Sequence, residues 1–312
     1  MRAVVVREFG GPEVLDLVEV ALPQPGHGQV RVRVAAAGVN PVDAVTRSGA
    51  LARAGLMAPR AVTGIGWDVA GVVDALGAGV TRFTPGQRVV GLRDLLDTDL
   101  GTYAEHVVLD ADAMAPAPAG ASLEQAATLP LGGLTALQAL DLLDLPAGAT
   151  VLVTGAAGHV GGFAVELAAL RGLRVVALAG QDDEHLVRRL GAEWFVPRTH
   201  PDIARAVRES VPGGVDGAID TALLGVRALA AVRRRGAFVA VAADAAPTPL
   251  RGIRVANVWI TADGEALARL SALAGDGHLT LRVADTLTLH HAAHAHHRLE
   301  TDRLRGRLVL TP

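Results

Sequence analysis

Three glycines at intervals of three, Gly155, Gly158 and Gly161, stand where an apolar run, Val151–Thr154, meets a second apolar run beginning at Val160. Glycine at that spacing lets a chain leave a strand in a tight turn, brings backbone against a diphosphate and seats the following helix on the sheet. The first turn of that helix offers unpaired N–H groups and the positive end of its dipole to phosphate oxygens. The glycine string alone is a weak signal. With a strand before it, a helix after it and a second strand-like run at Arg174–Leu178, it predicts a dinucleotide loop through Gly155, Ala156, Gly158, His159, Val160 and Gly161. The second strand ends at Ala179, followed by Gly180, Gln181, Asp182 and Asp183. An acid there binds a ribose 2′-hydroxyl and a base accommodates a 2′-phosphate. Here there are acids and no base, so Asp182 or Asp183 either takes the ribose or caps the helix starting near Glu184.

Two absences exclude other chemistries. The chain has no cysteine, hence no disulfide, thiol nucleophile or thiolate-bound zinc. It also has no lysine, which removes Schiff-base chemistry, the P-loop and any Tyr-x-x-x-Lys pair. A net charge of −3 and 3% aromatic residues leave no nucleic-acid footprint. The uncharged stretch Leu145–Val165 is long enough to span a bilayer, but Pro146, His159 and five glycines interrupt it. A soluble, cytoplasmic protein with no membrane partner is expected.

The elements that must carry the loop fall into two textures. Short valine-rich runs separated by turn signals fill the first hundred residues: Ala3–Val6, Val14–Val18, Val30–Ala36, Ala70–Ala75, Arg88–Gly91 and Ala104–Leu109. They predict a barrel-like β domain over 1–118. Ser122 with Gln125 forms a capping-box signature opening a helix. Strands at Thr150–Thr154, Arg174–Leu178, Trp194–Val196, Gly217–Ile219, Ala237–Val241 and Val255–Thr261 then alternate with helices at Val160–Arg171, Glu184–Leu190, Pro201–Ser210 and Val226–Arg234. That alternation predicts a doubly wound parallel sheet over 119–262. A helix at Glu265–Ala274, two short strands, a histidine-rich helix and a strand at Arg307–Leu310 are expected to complete the first domain from 263–312.

Together these stretches resemble the medium-chain dehydrogenase/reductase superfamily, in its zinc-free quinone oxidoreductase branch. The resemblance runs over nearly the whole chain: Met1-Arg-Ala-Val with Gly10-Gly-Pro-Glu-Val14, Ala37-Gly-Val-Asn40-Pro-Val-Asp43, Gly66-Trp-Asp-Val-Ala-Gly-Val-Val73, Pro85-Gly-Gln-Arg-Val89, Gly101-Thr-Tyr-Ala-Glu105, Gly133-Leu-Thr-Ala136, the glycine loop, and Arg305-Gly-Arg-Leu-Val-Leu310. It implies an α/β fold, a GroES-like domain plus a Rossmann domain, with the nicotinamide held in a cleft. Where zinc-dependent relatives place a cysteine and a histidine, this chain has Asn40 and Trp67, so no zinc is expected.

The activity so implied is hydride transfer from NADPH, with NADH the second choice, to a quinone or an α,β-unsaturated carbonyl. Asn40 is the expected polar group at the nicotinamide and at the developing enolate oxygen. Asp43 orients it, relays a proton or makes a structural hydrogen bond. Thr135, Val241 and Arg307 complete the expected cofactor contacts, and Arg251, Arg254 or Gln181 is positioned to reach a 2′-phosphate. Val45 stands where many relatives have tyrosine, and with Trp67, Leu92 and Leu95 it predicts an apolar substrate pocket.

Two other readings compete. An enoyl reductase for a larger thioester or polyketide-like substrate would use a basic mouth made by Arg47, Arg53 and Arg93. A non-catalytic dinucleotide-binding protein would bind without turnover. His290, His294 and His297 share a helical face that reads as exposed polar surface, not a metal site. Arg233-Arg234-Arg235 would end a helix, and Val255–Thr261 as a sheet edge would pair across a homodimer.

Overall fold

The computed structural model describes residues 1–58, 60–242 and 245–312. The chain forms two compact units, each built as follows.

The first unit comprises Met1–Leu131, Thr261–Gly277 and Leu281–Pro312. Its first part contains β1 (Arg2–Val6), β2 (Leu15–Glu19), β3 (Gln29–Gly38), α1 (Pro41–Arg47), α2 (Ala50–Arg53), β4 (Thr63–Gly64), β5 (Asp68–Leu76), β6 (Arg88–Leu92), β7 (His106–Asp110), β8 (Met114–Pro116) and α3 (Leu123–Ala126). A small sheet runs β2-β1-β4, and β3 is the hub of a larger one, paired antiparallel to both β5 and β7. Alternation along β3 sends Val30, Val32 and Val34 into a core with Val69, Val73, Val89, Val107 and Met114. Valine-rich sequence suits this pleated, half-buried surface. The helices α1 and α2 interrupt what the sequence reads as an all-strand region. Pro41 at the first helical position fits α1, because its missing N–H is one that no helix start can satisfy. The Ser122–Gln125 capping box closes in both directions, at 3.2 and 3.0 Å.

The second unit, Gly132–Ile260 with His278–Thr280, carries most of α4 (Pro130–Leu143) and the alternating series. The series is β9 (Thr150–Thr154), α5 (His159–Leu170), β10 (Arg174–Ala179), α6 (Glu184–Arg189), β11 (Trp194–Pro197), α7 (Ile203–Ser210), β12 (Val215–Asp220), α8 (Val226–Leu229), β13 (Val232–Ala240) and β14 (Arg254–Asn257). All six strands are parallel, in the order β11-β10-β9-β12-β13-β14, the doubly wound arrangement. The stretch Leu145–Val165 divides into turn, strand and helix. One helix expectation fails: Val226–Arg234 stops as helix at Leu229, and Arg233, Arg234 and Arg235 lie in β13. Parallel pairing of Val232 with Val215 recruits that segment into the sheet, so the arginines cap no helix.

The chain then returns to the first unit with α9 (Gly264–Gly275), one strand rather than two, β15 (Val283–Thr288), then α10 (Ala292–Thr301) and β16 (Arg307–Thr311). β16 pairs with β15 and, antiparallel, with the end of β3.

Candidate functional site

In the second unit, the expected nucleotide residues gather at the carboxyl ends of the strands. Gly155 leaves β9 at φ +59°, a left-handed conformation that glycine adopts without strain. A Cβ on Gly161 would lie 2.2 Å from the Gly155 carbonyl oxygen, so the helix can approach the loop only because that side chain is absent. Gly158 is the N-cap of α5, and His159 follows with its ring edge-on to Phe163 at 5.1 Å. Strand order reverses between β9 and β12, where open sheets of this kind take their ligands. Asp220, wholly buried at the end of β12, ties the loops on either side together. It accepts from Thr154 Oγ1 at 2.6 Å and from the Gly225 N–H at 2.7 Å, while Thr221 Oγ1 donates to the Thr154 carbonyl at 2.6 Å. Val241 follows β13 at the same edge, and Thr135 is buried in α4.

Gly180 opens a short 3-10 turn, Gln181–Asp183, with Gln181 and Asp182 exposed. Asp183 is the N-cap of α6 but accepts no capping hydrogen bond, so the capping alternative fails. The arginines proposed for a 2′-phosphate face elsewhere. Arg254 is in register with Ala237 at the amino end of the sheet and donates to the Leu143 carbonyl, while Arg251 donates to that of Leu229. A basic residue that the sequence reading missed lies next to the end of β10. Ala179 pairs with Pro197, and the next residue, Arg198, donates its backbone N–H to the Ala179 carbonyl. Its exposed side chain therefore starts beside Gly180. The signal was present in the β10–β11 pairing, one strand further than the usual search extends.

In the first unit, residues far apart in sequence form one buried polar network. α1 begins with a capping box: the Asn40 N–H donates to Asp43 Oδ2 at 2.7 Å. Tyr103, the only tyrosine, donates to the same oxygen at 3.1 Å. His296 contacts Tyr103 at 3.3 Å through Nε2 and Arg47 at 3.0 Å through Nδ1. Guanidinium only donates, so Nδ1 is the acceptor and the ring proton sits on Nε2, facing the Tyr103 oxygen. The Tyr103 proton is thereby committed to Asp43. Arg47 reaches Glu300 at 2.5 Å. Asp68 accepts from Asn40 Nδ2 at 2.8 Å and from the Leu131 N–H at 2.6 Å.

Burial sets the electrostatics. It pushes the Asp43 carboxyl up to about 7, against the Asn40 N–H and helped by the charge of Asp68. Asp68 rises to about 6 for the same reason, opposed chiefly by the Arg307 guanidinium. Burial, with the Arg47 charge, drives His296 down to about 3, in keeping with its neutral form. Since Asp43 titrates higher in the folded chain than its ordinary 3.8, its contribution to stability is complete below that value and is lost as pH rises through about 7. The melting temperature of Asp43→Asn relative to wild type is therefore expected to climb between pH 4 and pH 8. A difference that stays flat over that range would refute the assignment.

Several expectations are corrected here. Arg307, expected at the cofactor, is buried and donates to the Val39 carbonyl at 3.1 Å, and its positive charge opposes the upward shifts of Asp43 and Asp68. Both Asn40 amide hydrogens are engaged, by Asp68 and, at 3.3 Å, by the Gly38 carbonyl, so none is left for an enolate oxygen. Val45 lines a groove with Pro41, Ala44, Ser48, Leu299 and Glu300, whereas Leu92 and Leu95 line a separate cavity of about 270 Å³ with Arg93 and Asp110. Trp67 is buried, its carbonyl accepting from the Arg93 N–H at 2.8 Å, and it lines neither of these two. Arg47 is buried in its network, and Arg93 donates inward to Val108 and Thr98, which removes two of the three arginines of a basic mouth. In α10, His296 is buried with Ala292 and Ala295, so the histidine-rich helix is not wholly an exposed polar face.

Comparison with known proteins agrees with this architecture. Residues 26–119 match the alcohol dehydrogenase GroES-like domain, and residues 190–310 match the zinc-binding dehydrogenase family. The chain is 36% identical to a quinone oxidoreductase of Pseudomonas aeruginosa over 66% of its own length and 61% of the relative's, so the match spans about three fifths of that protein. It is 30% identical to a chloroplastic NADPH-dependent alkenal/one oxidoreductase of Arabidopsis thaliana, over 100% of this chain and 80% of the relative. Among solved structures, a quinone oxidoreductase from Coxiella burnetii superimposes with a TM-score of 0.87 at 30% identity, covering 100% of this chain and 99% of that one. A mycobacterial protein complexed with NADPH does so with a TM-score of 0.84 at 30% identity and full coverage of both. With full-length similarity in sequence and in fold, the chain belongs to the medium-chain dehydrogenase/reductase superfamily.

Proposed function

We infer that the protein is a zinc-independent oxidoreductase that uses NADPH to reduce a quinone or an α,β-unsaturated carbonyl. The observation that carries this reading is the glycine loop at the point of strand reversal, where a Cβ on Gly161 would strike the Gly155 backbone, so that glycine there lets α5 start directly against the turn. When bound, the nicotinamide supplies the hydride. The chain's part is to hold the nucleotide: the α5 N-terminus and the loop N–H groups meet the diphosphate, and Asp220 keeps the neighbouring loops in place. Arg198 supports NADPH over NADH, because its exposed side chain starts next to the end of β10 and a guanidinium matches a 2′-phosphate bidentately.

Zinc does not fit the donors. No cysteine exists to hold it, the Asn40 amide is spent on Asp68, and an indole stands at position 67. Among the described residues no three His, Asp or Glu side chains converge as a ligand set. Reduction of a conjugated carbonyl needs orientation and a proton that solvent can supply, so the reading does not depend on a metal. A homodimer is part of the proposal, supported by β14 as an open sheet edge with Trp259 exposed just beyond it. Sedimentation at the mass of one chain would remove it.

Nicotinamide fluorescence titration tests the whole reading, with NADPH and NADH added separately. Tight NADPH binding followed by turnover of enones or quinones is expected, and no binding of either nucleotide overturns the proposal. Arg198→Ala should weaken NADPH by roughly 10- to 100-fold, the worth of a charge-assisted contact, and leave NADH unchanged. Equal losses for both nucleotides would show that Arg198 does not read the phosphate.

A further inference from the structure

Arg233, Arg234 and Arg235 stand at the start of β13, and Arg251 lies in the turn before β14; all four side chains are exposed. The strands of this sheet are parallel, so these residues occupy the end of the sheet opposite the glycine loop. The two segments are joined. The Arg235 N–H donates to the Arg251 carbonyl at 3.2 Å, and the Arg235 side chain lies over Gly252, where an added Cβ would come within 3.6 Å of Cγ. One carboxylate is bonded to the group: Asp216, which meets Arg233 at 2.6 Å and also holds Thr150. Arg251 spends one N–H on the Leu229 carbonyl. Among the described residues no carboxylate pairs with Arg234, Arg235 or Arg251, a cluster of positive charge on a chain whose net charge is −3.

The backbone sets two of these arginines apart as well. Arg235 and Arg251 hold φ of +61° and +55°, the left-handed region that glycine and asparagine enter more easily. Strain kept at two neighbouring, solvent-facing positions points to use by a partner rather than to folding.

We propose that this cluster is a docking surface for a short acidic segment of a partner protein, whose carboxylates meet the guanidinium groups of Arg234, Arg235 and Arg251. Guanidinium and carboxylate match as two parallel hydrogen bonds, and Arg234 and Arg235 have no side-chain bond among the described residues to break first. Length favours a peptide over a nucleic acid. A long polyanion would run off the cluster onto the rest of a net-negative chain, and no aromatic side chain in the cluster gives a base a platform.

Fluorescence anisotropy of a labelled decaglutamate peptide, titrated with the full chain, tests this. Binding is expected at low salt and should weaken as salt is raised. Arg234→Gln with Arg235→Asn should weaken it roughly tenfold or more and leave nicotinamide nucleotide binding as it was. Asparagine tolerates the positive φ at position 235, so this double variant should melt no lower than the wild type. Arg269→Gln with Arg303→Gln removes two exposed arginines from the first unit and changes net charge equally. It should leave peptide binding within about twofold of the wild type. Equal losses in the two double variants overturn the proposal, as does a wild type that does not bind. So does displacement of the peptide by a single-stranded oligonucleotide of equal charge at lower concentration than by unlabelled decaglutamate, which would assign the cluster to nucleic acid. Should the first double variant fail to fold, Arg234→Gln against Arg269→Gln carries the same contrast, with a loss of roughly threefold against none.

Discussion

Arg307→Met is expected to destabilise the protein by about 3–5 kcal/mol at pH 8, the usual result of removing one partner from a buried charge cluster. Arg307 is fully enclosed, and its nearest opposite charges are Asp68 and Asp43, themselves without solvent exposure. Methionine fills the space of the aliphatic stem but leaves two carboxyls facing each other with no cation. They respond by holding protons, so both titrate higher in the variant than the values of about 6 and about 7 in the wild type. The loss should therefore shrink as pH falls toward 5. Denaturant unfolding at the two pH values measures this directly. Adding Asp43→Asn to Arg307→Met should recover part of the stability, since neighbours sharing a partner are not additive. Strict additivity would mean that Arg307 acts through packing alone.

The second large effect belongs to the loop. Gly161→Ala places a carbon 2.2 Å from the Gly155 oxygen and 2.8 Å from its carbonyl carbon, both of them backbone. No side chain can swing aside, so α5 must move off the loop, at a cost of about 1–3 kcal/mol for overpacking. Once the loop has opened, its N–H groups no longer converge on a diphosphate. Affinity for both nucleotides is expected to fall at least 100-fold, equivalent to about 2.7 kcal/mol or more. Gly158→Ala is the internal comparison. There the added carbon would lie 3.0 Å from the same oxygen, with ordinary negative φ, and the loss should be much smaller. Similar affinities for the two variants would deny Gly161 its special role.

Much of the second unit was legible because its signals are local. β9, β10 and α5 stand within a residue or so of where the apolar runs place them, since strand, glycine turn and helix are contiguous in sequence. β13 was misjudged for a physical reason. Val232–Arg235 has little apolar alternation of its own, and only pairing with β12 makes it a strand. The buried network was illegible for a different reason. Its members at 40, 43, 47, 68, 103, 296 and 307 share no spacing, and tertiary pairing alone collects them. One clue existed: Ala292, Ala295, His296 and Leu299 recur at helical intervals, which puts His296 on the inward stripe while the eye follows His290, His294 and His297.

The assembly of the first unit from three stretches of chain bears on how the protein is made. β3 is synthesised early, yet the strand that covers its end, β16, pairs Val309 with Gly38. On the ribosome, the sheet of the second unit can close as soon as β14 emerges, although its first strand is made after most of the first unit. The first unit must wait, with Asp43 and Asp68 already in place and their counter-charge still in the exit tunnel. Arrest of translation just short of residue 307 should thus leave a nascent chain whose later-starting half resists protease while the earlier-starting half remains open.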